Sequence, residues 1–139
     1  MPINITTNQP GVIRSIYTDI DPTFGLHPRT NDLNITENAK CVRVSLGHLL
    51  STIYGERLFQ PKIGSSIRAL LFEPIDAITT LELKDRIVET IRKYEPRVGS
   101  LSVLVVSNND DNSYEVSVEF SVIGTTAKER LTTFLERLR

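Results

Sequence analysis

The run from Thr80 to Val98, Thr-Leu-Glu-Leu-Lys-Asp-Arg-Ile-Val-Glu-Thr-Ile-Arg-Lys-Tyr-Glu-Pro-Arg-Val, obliges the chain to change from helix to extended backbone at one point. Leu83, Ile87, Ile91 and Tyr94 recur every three or four residues, with Leu81 and Val88 beside them, and charged residues fill most other positions. One stripe is therefore made for burial. Thr79 with Glu82 three residues on has capping-box spacing at the helix entrance. Pro96 ends the helix, because it has no N–H to give and pushes Glu95 toward an extended conformation.

Two strands are expected beyond Pro96. Leu101 to Ser107 is rich in β-branched and aliphatic residues, and Asn108 to Ser113 supplies turn chemistry. The next run alternates, with Tyr114, Val116, Val118, Phe120 and Val122 on one face and Glu115, Ser117, Glu119 and Ser121 on the other. Burying the five apolar residues is worth roughly 1.5 to 3 kcal/mol each, and the stripe of the preceding helix is their natural cover. The expected fold is α+β, with helices packed on one face of a small, mainly antiparallel sheet that contains this C-terminal-half hairpin.

The remaining elements follow from local signals. Residues 1–12 are polar and read as a flexible N-terminal arm, leaving 13–139 as a single domain. Ile13 to Ile20 reads as a short strand ended by Asp21-Pro22. Helical spacing returns from Glu37 to Ile53 through Val42, Leu46, Leu49, Leu50 and Ile53, with Cys41 and His48 packed or at its margin. Gly55 opens a loop to Gly64 that carries Leu58, Phe59 and Ile63, and a loop that oily must lie against something. Ser65 and Ser66 are placed to cap a short helix through Ile67, Leu70, Leu71 and Phe72, ended by Pro74. After Gly124, the spacing of Ala127, Leu131, Phe134, Leu135 and Leu138 predicts a last amphipathic helix.

Several kinds of chemistry find little footing. Sixteen cations against 17 acids leave a net charge of −1, which gives no electrostatic case for nucleic acid or an anionic membrane. Cys41 is the single cysteine, so no intrachain disulfide is available and a reducing cytoplasm is the expected compartment. No apolar run approaches the ~20 residues of a spanning helix. His27 and His48 lack a second ligand at helical spacing, so no metal or other cofactor is expected. Gly64-Ser-Ser precedes a helix without the lysine of a phosphate loop. Glu56, Glu73 and Glu95 are the available carboxylates for a glycosidase pair, and their alternative is a solvated or ion-paired surface. Glu95 and Arg97, two apart in extended backbone, point the same way. They either pair with each other or form a charged clamp for another subunit.

Read together and in order, several stretches resemble one family: the baseplate wedge or sheath-initiator proteins of contractile-tailed phages, the GPW and TssE-like group, the latter from type VI secretion baseplates. They are Ile16-Tyr-Thr-Asp-Ile-Asp-Pro22, Arg57-Leu-Phe-Gln-Pro-Lys-Ile-Gly64, Leu70-Leu-Phe-Glu-Pro74, Tyr94-Glu-Pro-Arg-Val98 and Val118-Glu-Phe-Ser-Val-Ile123. Lys62 departs from the family pattern, which often has an acidic residue there. The resemblance implies a structural subunit of the virion tail baseplate, assembled in the host cytoplasm, with no cofactor and no catalysis. Its implied partners are other wedge proteins, met at a helical core bundle, and tail sheath subunits, with neither nucleic acid nor membrane insertion. The docking element would be Tyr94, Glu95, Pro96 and Arg97. The hairpin would present a strand edge to the sheath in the manner of a sheath handshake domain, through Val103, Val105, Val116, Val118 and Phe120. A lysozyme-like label attached to the family supplies the alternative, a peptidoglycan-degrading tail enzyme.

Overall fold

A computed structural model describes residues 17–108, 111–124 and 128–136. The expected arm 1–12, the start of the first strand, Ala127 and Leu138 lie outside the described residues. In chain order the elements are β1 (Thr18–Ile20), β2 (Ile35–Glu37), α1 (Ala39–Ser51), α2 (Ile67–Leu70), α3 (Ala77–Tyr94), β3 (Val98–Asn108), β4 (Ser113–Val122) and β5 (Lys128–Glu136). β1 and β2 form a small antiparallel ribbon, and β3, β4 and β5 form an antiparallel sheet in that order.

The helix–strand switch falls where proline puts it. α3 runs to Tyr94, and Glu95 leaves helical geometry at φ −124°, ψ 78° while its N–H still reaches Ile91 O at 2.9 Å. Leu83, Ile87 and Ile91 are fully buried, whereas Leu81 is exposed. The entrance lies earlier than the Thr79–Glu82 spacing implies: Asp76 is the cap, its Oδ1 accepting the Thr79 N–H at 2.6 Å. That hydrogen bond also holds the Asp76 carboxyl below its usual range. An aspartate three residues before Thr79 satisfies the same orphan donors and lets the helix begin at Ala77.

All five inward residues of β4 are buried, and the core joins them to Val103 of β3, Leu83, Ile87 and Ile91 of α3, Ile67 and Leu71 around α2, and Val42, Leu46 and Leu50 of α1. α3 lies across β3, and α1 reaches β4 and β5. The helices thus cover one face of the sheet, and α+β architecture follows. The other face carries Leu104, Val106 and Phe134 in solvent.

Three expectations need correction. The last segment is a strand: β5 pairs with β4 from Ser113↔Glu136 to Ser121↔Lys128. Glu129, Leu131, Thr133 and Leu135 alternate with more exposed neighbours, and Phe134, placed inside by the helical reading, is 69% exposed. Without β5, the bonding groups on one side of β4 would be left open, and this tertiary demand overrides a weak helical pattern. Among the described residues nothing covers the tip of the 55–64 loop, since Leu58 and Phe59 stand in solvent and only Ile63 of its three large apolar residues is half-buried. Ser65 is not a cap either: its hydroxyl donates to Leu50 O at 3.1 Å, and Ser66 makes no side-chain cap bond.

Candidate functional site

The junction between α3 and β3 gathers the Tyr94–Arg97 motif against α1. Pro96 turns the chain so that Glu95 and Arg97 project together, and they meet each other. Arg97 Nε donates to Glu95 Oε1 and Arg97 Nη2 to Glu95 Oε2, both at 2.6 Å. This is the two-armed geometry that makes arginine–carboxylate pairs strong. Ser45 Oγ, from α1, donates to Glu95 Oε2 at 2.7 Å. Arg97 Nη1 approaches the buried Cys41 Sγ at 3.4 Å, and its guanidinium carbon sits 5.8 Å from the Tyr17 ring centroid.

Burial and charge decide what this cluster can offer. Glu95 is only 4% exposed, while the Arg97 side chain is 28% exposed. Burial pushes the Glu95 carboxyl up, but the hydrogen bonds from Arg97 and Ser45 outweigh it and hold the group below the usual carboxylate range. The bond to Glu95 likewise raises Arg97. The alternative of mutual pairing is therefore the one realised: Glu95 is spent internally. Three of the five guanidinium N–H groups are also committed, and Pro96 between the two residues is exposed.

Tyr94 extends the junction sideways. Its hydroxyl donates to the Lys62 carbonyl, and Lys93 Nζ lies 5.1 Å from its ring centroid. Beside it runs a groove of about 530 Å³ whose walls include Asp19, Asp21, Ser45, His48, Arg57 and Tyr94. Sequence patterning missed Ser45, Tyr17 and the role of Cys41 in this cluster. The available signal was the four-residue spacing of Cys41 and Ser45, which puts both on one side of a helix.

The hairpin residues fall into two groups. Val103 and Val105 are on β3, an outer strand, and face the helices. Val116, Val118 and Phe120 belong to β4, which is bonded to β3 on one side and β5 on the other. A central strand has no free edge, so these three cannot present one; they build the core beneath it. Among the described residues the unpaired sides of the sheet are those of β3 and β5.

The carboxylates considered for glycoside hydrolysis each have a different setting. Glu56 accepts the Ile53 N–H at 3.0 Å, and Glu73 is exposed after α2. Glu95 has its acidity increased, the reverse of what a general acid requires. None of the three lines the groove.

Comparison with known proteins gives a consistent picture. The family model described as baseplate wedge protein gp25 matches residues 36–129. Baseplate wedge protein gp25 of Enterobacteria phage T4 is 32% identical over 111 residues, covering 80% of this chain and 83% of that protein. A crystal structure from Geobacter sulfurreducens, provisionally called a tail lysozyme, superposes with a TM-score of 0.67 at 23% identity over 72% of this chain and 91% of its own. A chain in the baseplate of the anti-feeding prophage gives 0.59 at 20% identity, over 88% and 87%. At these identities the two structures speak to fold alone. The family match runs from β2 through the Glu-Pro-Arg junction into β5, and on that ground the chain belongs to the baseplate wedge protein gp25 family.

Proposed function

We propose that this protein is a structural subunit of a contractile-tail baseplate, one that docks on other wedge proteins through the Tyr94–Arg97 junction and offers an open sheet edge from which sheath polymerisation begins. The observation that carries this reading is the unfinished sheet: β3 is 11 residues long and bonded on one side only among the described residues. Such an edge is suited to accepting a strand from another chain. Arg97 and Pro96 supply the exposed part of the docking element, and Glu95 with Ser45 fixes the guanidinium plane behind them. On this reading the protein works without catalysis or cofactor, resides in the tail baseplate and is built into it in the host cytoplasm. Its partners are wedge proteins and sheath subunits, with no nucleic acid or membrane among them.

Two substitutions separate the docking from the platform role. Arg97→Lys keeps a cation beside Glu95 but loses the fork; the domain is expected to unfold near the wild-type temperature while its incorporation into purified baseplates falls. Equal incorporation removes the docking role. Single prolines along β3 that leave the domain folded should permit baseplate assembly and stop sheath growth, and a normal sheath on such baseplates removes the platform.

A further inference from the structure

We propose that the loop from Gly55 to Gly64 is a docking knob whose Leu58 and Phe59 enter an apolar pocket, rimmed by carboxylates, on a neighbouring baseplate protein; this rests on the baseplate reading above. Leu58 is 91% and Phe59 97% exposed. A single exposed leucine calls for no explanation. Two large apolar residues side by side on a rigid support do.

The support is built by the chain itself. Gly55 N–H donates to Pro61 O at 2.9 Å and Ile63 N–H to Gln60 O at 3.0 Å, closing the loop on itself. At its base Ile53 bridges Ser65 in parallel fashion, and Ser65 N–H reaches Thr52 O at 2.8 Å. The Tyr94 hydroxyl holds the Lys62 carbonyl from the side. Gly64 has φ +150°, and a Cβ there would stand 2.8 Å from the Ile53 carbonyl carbon and oxygen, so only glycine lets the two ends approach this closely. A loop so fastened presents its tip without the ordering cost that weakens flexible binders.

Charge selects the occupant. Residues 57–72 include Arg57, Lys62 and Arg68 and no carboxylate. Among the described residues none of these three cations is ion-paired. Glu56, the nearest acid in sequence, is turned back onto the Ile53 N–H. Arg57 and Lys62 flank the apolar pair within three residues. Although Arg57 also lines the groove beside Asp19 and Asp21, the tip itself carries cations and no acid, which complements an apolar pocket with Asp or Glu at its mouth.

The test compares full-length chains supplied to the assembling particle in place of wild type. Leu58→Ser/Phe59→Ser should fold as wild type does, judged by thermal unfolding, yet enter baseplates about tenfold less, with Phe59→Trp restoring entry. Arg57→Glu/Lys62→Glu should also reduce entry. In assembled baseplates, p-benzoylphenylalanine substituted for Phe59 should crosslink to an apolar segment, with nearby Asp or Glu, of a different polypeptide. Undiminished entry of the double serine variant overturns the knob while leaving the baseplate reading intact, and absence of the wild-type chain from baseplates overturns both. A crosslink to a second copy of this chain also overturns the proposal. So does Phe59-dependent sedimentation of the purified protein with phosphatidylglycerol vesicles, which would assign the loop to a lipid surface.

Discussion

Glu95 is a carboxylate tied to both sides of a joint, to Arg97 beyond the proline and to Ser45 on α1. Its folded-state pKa lies below the ordinary value of 4.5. The ionised form therefore adds stability that is complete above about pH 4.5 and is lost as the pH falls through the lower, folded value. Denaturation of the wild type between about pH 5 and pH 3 should accordingly lose more stability than Glu95→Gln does over the same window. Arg97→Ala strands the buried carboxylate and should cost roughly 2 kcal/mol in urea unfolding, less than a fully buried pair because the guanidinium is part-exposed. Proline at 96 and the two-residue spacing sufficed to place both side chains on one side. Their actual company, Ser45 and Cys41 fifty or more positions earlier, comes from tertiary contact, which local pattern does not encode.

At the level of elements, the helix α3 and the hairpin β3–β4 were legible because each has one clean period, about 3.6 or 2, over ten or more residues. β5 was not. Leu131 and Leu135 are four apart, a spacing shared by one helical turn and two strand repeats, so they fit either state. Phe134 is the residue that discriminates, inside on a helix and outside on a strand. Phe134→Ser should therefore change folding stability by no more than about 0.5 kcal/mol, while Leu135→Ser, which touches the core, should cost roughly 1 to 2 kcal/mol. Comparable losses at both positions would contradict the strand. The 55–64 loop was legible in another sense: its oiliness was plain from sequence, but no described residue of the chain covers its tip.

On the scale of the molecule, α1, α2, α3, β3 and β4 share a single apolar core, with Phe120 on the central strand fully enclosed. A core held in common should melt as one unit. Far-ultraviolet and tyrosine near-ultraviolet circular dichroism are expected to give coincident transitions, and Phe120→Ala should move both together by roughly 3 to 5 kcal/mol. Separate transitions would divide the molecule into independent parts. Among the described residues, the same arrangement leaves the outer side of β3 unpaired in the folded chain. On the proposed reading, no described segment has to unlatch before a partner's strand can add there. If the platform reading holds, the order of construction is governed by where the subunit is seated and how many free copies exist, and an excess of unseated copies should compete for the incoming strands.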